Sequence, residues 1–319
     1  MSAPVFITAG PDGALWFTES GLGKIGRITT DGVITEFPVA TGAAYLHGIA
    51  SGSDGSLWFT EIDAQIVGRI TTAGAVTEFP VPNSASAPFE IAAGPDGNLW
   101  FSEAGGARIG RVTTSGSFTE FPISSPAHGI AAGPDGNVWF TETNVGLVGR
   151  LSPSGSLAEF PTGTGSFELP CMIAGPGGLW FTDFTASAIR RITTAGQLFG
   201  PFATPTPGAG PLGIGAEASG RVWFAEATAN RIAGVSSDGA SIVEFPVPLV
   251  DSFPTGVAIG PDGNVWFTEQ AEQAGRIGRL VPPPAPPPAE GVAVPALGVT
   301  ATALLALLLA AGGARVLRP

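Results

Sequence analysis

The chain has 319 residues, a formal net charge of −12 and charged side chains at only 13% of positions. So acidic a chain repels phosphate backbones, which excludes nucleic acid as a partner, and the single cysteine, Cys171, excludes an intramolecular disulfide. The 47 glycines and 30 prolines punctuate short segments and point to a turn-rich all-β fold, with 20 phenylalanines and 7 tryptophans to build its core.

The N-terminus reads Met1-Ser2-Ala3-Pro4-Val5-Phe6, with neither a basic leader nor a long apolar run, so no secretory signal is visible. A repeat begins at once. The tryptophans Trp16, Trp58, Trp100, Trp139, Trp180, Trp223 and Trp266 recur at spacings of 42, 42, 39, 41, 43 and 43 residues. The copy from Pro88 to Pro122 shows the unit. Ile91-Ala92-Ala93 is a small-residue strand, and Gly94-Pro95-Asp96-Gly97 is a tight turn. Leu99-Trp100-Phe101-Ser102-Glu103 is a second strand, Arg108-Ile109-Gly110-Arg111-Val112 a third, and Phe118-Thr119-Glu120-Phe121-Pro122 a fourth. Four short strands in about 40 residues make one propeller blade, so seven copies predict a seven-bladed β-propeller over residues 1–280. The first strand is small because first strands crowd the central channel. The Trp and Phe of the second are placed to fill the gap between blades.

Repeat seven has three strands, ending at Arg279-Leu280, and then meets Val281-Pro282-Pro283-Pro284. Proline donates nothing to a sheet ladder, so the last blade is expected to be three-stranded. A chain start placed too late would account for both the absent leader and the absent closing strand. Residues 281–290 read as a stiff proline-rich spacer. Residues 291–319 read as a hydrophobic helix: Gly291 to Ala314 carries no charge, and Arg315 and Arg318 follow. That run is long enough to span a bilayer, with the basic end in the cytoplasm and the propeller outside. With Val294-Pro295-Ala296-Leu297 ahead of it, the tail resembles bacterial sorting tails of the IPTL and PEP-CTERM kind. That resemblance implies export and anchoring at the bacterial cell envelope or surface.

The propeller repeat, Gly-Pro-Asp-Gly-Asn-Leu/Val-Trp-Phe-Thr-Glu, then Ile-Gly-Arg-Ile/Val-Thr, then Thr-Glu-Phe-Pro, resembles the virginiamycin B (streptogramin) lyase family over about 280 residues. The resemblance implies a ring-opening lyase of cyclic depsipeptides that depends on Mg2+. It places essential histidines after a proline at the start of the innermost strand in the last two blades, and a glutamate before the final proline. On this chain those histidine positions carry Leu212 and Thr255, and the glutamate position carries Phe253. Neither Leu nor Thr acts as a general acid or base at neutral pH.

Comparing the repeats separates scaffold from site. A strand-two acid recurs as Glu19, Glu61, Glu103, Glu142, Asp183, Glu226 and Glu269, and a strand-three arginine as Arg27, Arg69, Arg111, Arg150, Arg191 and Arg279. Each acid is expected to pair with backbone amides or with an arginine across a hairpin. One register behaves otherwise. Where the innermost strand begins it reads Val5, His47, Phe89, His128, Cys171, Leu212 and Thr255, which gathers both histidines and the only cysteine at one mouth of the channel. Glu90 follows where most repeats have glycine, and Tyr45, the only tyrosine, precedes His47 by two residues.

His47, His128 and Glu90 are therefore the candidate catalytic residues, two imidazoles and a carboxylate suited to proton transfer or to a divalent metal. Alternation along the strand would point Glu90 away from its neighbours. Tyr45, Cys171 and Thr255 are candidate ligand-binding residues at the same mouth, Cys171 reading as a small buried side chain. Two functions follow. The first is an anchored surface protein that binds a small molecule, peptide or surface ligand, with the lyase positions vacated. The second is a lyase or hydrolase that uses the relocated histidines and Glu90.

Overall fold

The computed structural model describes residues 3–42, 45–163, 168–270 and 275–283. Residues 3–282 belong to one compact unit, and the predicted tail helix lies outside the described residues. Among the described residues every regular element is a β-strand. Seven antiparallel sheets follow one another along the chain, six of four strands and a last one of three. The seven-bladed propeller with a three-stranded final blade is thus the observed architecture.

The inner strands are Ala3–Ala9, Leu46–Ser51, Pro88–Ala93, Ala127–Ala132, Met172–Gly175, Pro211–Ala216 and Pro254–Ile259. Each pairs with the tryptophan strand of its own blade, so that Thr8, Ala50, Ala92, Ala131, Ile173, Gly215 and Ala258 lie opposite the seven tryptophans. Small side chains at this row leave a central space. Glycines at Gly48, Gly129, Gly213 and Gly256 allow neighbouring inner strands to touch, since a Cβ at Gly213 would lie 2.2 Å from the Thr255 carbonyl oxygen.

The tryptophans sit between blades, as their size predicts. Trp16 packs with Leu57 and Phe59 of blade two, and Trp266 with Leu15 and Phe17 of blade one. Each buried indole N–H finds an acceptor, as burial of such a group requires. In five blades this is the turn aspartate, at 2.9–3.2 Å. Trp180 instead donates to the Pro176 carbonyl and Trp223 to Glu217.

The strand-three arginines do not pair with the strand-two acids. They lie opposite the tryptophans and over their indole faces, 5.3–5.9 Å from the ring centres. Arg69, Arg111, Arg150, Arg191 and Arg279 each donate to a backbone carbonyl of the following blade, Arg279 reaching Thr30 at 3.0 Å. The hairpin pairing expected from sequence fails for these arginines, which stand at the opposite end of the two strands from the acid, and holds in blade five, where Arg190 Nε meets Asp183 Oδ2 at 2.8 Å.

Strand-two hydroxyls join blades a second time. The Thr18, Thr60, Ser102, Thr141 and Thr268 hydroxyls accept an inner-strand N–H of their own blade, and each donates to a carbonyl near the start of the next inner strand. Thr268 donates to Val5 at 2.7 Å. Side-chain bonds from Thr268 and Arg279 therefore link the last blade to the first, and among the described residues no sheet joins strands from both chain ends.

Candidate functional site

The channel cavity has a volume of about 460 Å³ and is lined by inner strands from all seven blades. Its wall is mostly alanine, isoleucine and glycine, with Glu90 and Cys171 as its ionisable side chains. The hydroxyl clasps fix the register. The backbone amides of Phe6, Gly48, Glu90, Gly129, Cys171 and Gly256 all donate to the strand-two hydroxyl of their blade. Cys171 thus stands at the Glu90 position, one residue beyond the histidine register, which blade five fills with Pro170. The register expected from sequence is one residue off in blade five because its turn, Gly175-Pro176-Gly177-Gly178, brings the tryptophan one residue earlier than in blades such as three.

Glu90 points into the channel, as strand alternation requires. Its Oε2 accepts the Ile130 N–H at 3.2 Å, and its carboxyl is hydrogen-bonded to the Cys171 thiol. Burial in this apolar wall pushes Glu90 up to about 8, so it is a neutral acid at pH 7. Burial also raises the Cys171 thiol well above its ordinary value, with the Glu90 charge adding to the effect. A thiol held this way is not a nucleophile at neutral pH.

The two histidines lie in an aromatic stack rather than in the channel wall. His47 is wedged between Phe6, at 4.6 Å between ring centres, and Phe89, at 3.7 Å. Phe89 in turn stacks on His128 at 4.5 Å. His47 Nδ1 lies 3.3 Å from the Phe89 carbonyl oxygen, which makes Nδ1 the donor. Burial drives His47 down to about 3, and the nearby His128 works in the same direction. Burial lowers His128 as well. Both rings are therefore neutral, flat and aromatic at physiological pH. Tyr45 is exposed and stacks on His47 at 6.3 Å. Thr255 is buried, and its hydroxyl donates to the Phe253 carbonyl at 3.1 Å.

The structure thus brings Tyr45, His47 and His128 into one arc and sets Glu90 and Cys171 on the channel side. Phe6 and Phe89 complete the arc, and exposed Phe253 stands at the start of the last inner strand. The signal for these phenylalanines was available in the repeat comparison, which shows a ring where other copies have small residues. Among the described residues no group of three His, Cys, Asp or Glu side chains could hold a metal ion.

Seven blades around an apolar channel, with an aromatic arc where the inner strands begin, define the class as a small-molecule-sized propeller site. The virginiamycin B lyase family model matches residues 1–128 and 124–285. The selenomethionine-substituted virginiamycin B lyase from Staphylococcus aureus is 36% identical, with a TM-score of 0.81 over 88% of this chain and 95% of that one. A streptogramin B lyase structure is 34% identical, with a TM-score of 0.81 over 87% and 94% of the two chains. A catalytically inactive histidine-to-alanine form of the S. aureus enzyme, solved with quinupristin, is 35% identical over 88% of this chain and 96% of that one, with a TM-score of 0.81. Among curated proteins nothing matches significantly. The chain belongs to the virginiamycin B lyase family.

Proposed function

We propose that this chain is an envelope-anchored binding protein built on the streptogramin lyase propeller, with the lyase's acid–base positions vacated. The observation that carries the reading is the chemistry at those positions. The resemblance assigns them to Leu212, Thr255 and Phe253, which offer no imidazole and no carboxylate. Their only side-chain oxygen, on Thr255, is engaged with the Phe253 carbonyl. A hard dication such as Mg2+ wants several oxygen ligands, and these three side chains do not provide them.

What the mouth does offer is a neutral aromatic surface. Phe6, His47, Phe89 and His128 form a continuous stack, with Tyr45 exposed beside it. Such a surface suits a neutral, partly aromatic small molecule or peptide. The relocated acid–base reading loses support because Glu90 faces the channel and the imidazoles, buried His47 and half-buried His128, are neutral rings. The uncharged run from Gly291 to Ala314, closed by Arg315 and Arg318, supports anchoring.

Quinupristin with Mg2+ is the direct test. The expected outcome is no ring opening by mass spectrometry, with any binding measured by calorimetry weakened by Tyr45→Ala. Linearised product above the no-enzyme rate would overturn the reading, and fractionation that finds the full chain only in the cytosol would remove the anchoring.

A further inference from the structure

The ring of strand-two acids points to a second kind of site, independent of any ligand at the mouth. Blade five is the reference. There Asp183 is buried, and Arg190 Nε meets its Oδ2 at 2.8 Å. Arg190 stands opposite Phe181, where other blades place Gly26, Gly68, Gly110, Gly149 and Gly278 opposite their phenylalanines. A positive charge thus answers the buried acid.

Blade four has no cation acting on its acid, and in blade six Arg231 lies 3.8 Å from the neighbouring Glu244 and does not hydrogen-bond the acid itself. Glu142 and Glu226 are 0% exposed, and both carboxyl oxygens of each lack a donor in good hydrogen-bond geometry. What lies against them is a second carboxyl from strand four, Glu159 and Glu244 respectively. That second carboxylate is well supplied. Glu159 accepts the Ser124 amide at 3.2 Å and its hydroxyl at 2.8 Å. Glu244 accepts the Thr206 amide at 2.8 Å and its hydroxyl at 2.7 Å, with Arg231 at 3.8 Å. Two bare carboxylates in contact, one of them fully buried, repel each other, and one shared proton removes the conflict. The strand-four partner already has donors that favour its charged form, so the proton belongs on the strand-two acid.

We propose that Glu142 and Glu226 are buried proton-binding sites, each a carboxylic acid that donates to the carboxylate of Glu159 or Glu244. Each pair pins the loop that leads into its own blade. Residues 123–126 lead into the inner strand that carries His128, and residues 204–210 into the one that carries Leu212. Blade two reaches the same end with another donor: the Thr41 hydroxyl bonds Glu61 while Glu78 takes the Ala40 and Thr41 amides.

The charged group acting on Glu142 is Glu159, and those acting on Glu226 are Glu244 and Arg231. Burial first, then the neighbouring carboxylate, raises both acids from 4.5 to about 8. The native state therefore holds protons that the unfolded chain has released. This contribution is full below pH 4.5 and is lost as pH rises to about 8.

The test compares the full chain with the double variant Glu142→Gln, Glu226→Gln, whose amides donate to the same carboxylates at any pH. Unfolding near about pH 6 should release about two fewer protons in the variant, and its stability should fall less as pH rises. Equal proton release in both proteins overturns the proposal. So does stripping by EDTA that lowers wild-type stability at neutral pH but leaves the variant unchanged, because a metal ion would then bridge the pair. Should the variant fail to fold, infrared spectroscopy of the wild type decides. A protonated-carboxyl band at neutral pH that persists when Glu90, itself a neutral acid, is replaced by glutamine and that shifts on alkalinisation supports the pairs, and its absence in Glu90→Gln overturns them.

Discussion

His47 shows how burial alters what a histidine can do. Exposed, it would titrate near neutrality; packed between Phe6 and Phe89 it is held neutral down to about pH 3. Its depressed value makes the unfolded chain the better base, so native stability is present above pH 6.5 and is lost as pH falls toward 3. Replacing it with phenylalanine keeps a flat ring in the stack and removes that loss. His47→Phe should thus resist acid unfolding better than the wild type, read as the urea midpoint at about pH 5 against about pH 8. Equal loss of stability in both proteins would mean His47 is solvated in the native state. The sequence showed that both histidines share one register, because tryptophan spacing is a linear measurement. It did not show that Phe6 and Phe89 flank them, since those contacts join three different blades.

At the scale of the strand, the hydroxyl clasp carries the largest consequence. Thr60 accepts the Gly48 amide and donates to the Phe89 carbonyl, and all three groups are poorly placed to find water. Thr60→Val preserves shape, leaves the Gly48 amide without a partner and leaves the Phe89 carbonyl with the His47 Nδ1–H alone, at a cost of about 1–3 kcal/mol in urea unfolding. A loss below about 0.3 kcal/mol would show that the blades do not depend on the clasp. Blade six supplies an internal comparison, since Ala225 stands at this position and omits the bond. The four-strand meander was legible because Gly and Pro mark each turn and apolar residues alternate with polar ones. The clasp was not, because threonine in a strand is unremarkable until the neighbouring blade arrives. The strand-two acids carry the same lesson: antiparallel register places the recurring strand-three arginines beside the tryptophans, and Arg190, one strand position nearer the acid's end in blade five, reaches its acid.

At the scale of the whole molecule, the last blade governs closure. Its third strand, Arg276–Leu280, pairs on one side with Val265–Glu269, and no fourth strand covers its other edge among the described residues. Arg279 and Thr268 provide hydrogen bonds to blade one. Hydrogen exchange should accordingly be fastest in Arg276–Leu280 among third strands, and Arg279→Ala should speed it further while leaving Arg108–Val112 of blade three unchanged. Uniform protection across all seven third strands would show that an additional element covers this edge.

The sequence by itself determined the blade count, the strand order within each blade and the incomplete final sheet, because these follow from a period, from turn residues and from proline. Tertiary structure alone decided which side chains meet at the mouth, that Phe6 and Phe89 flank His47, and that Glu90 accepts the Ile130 amide of the next blade. Each of those depends on how one blade lies against the next, and a contact between blades leaves no local period in the chain that makes it.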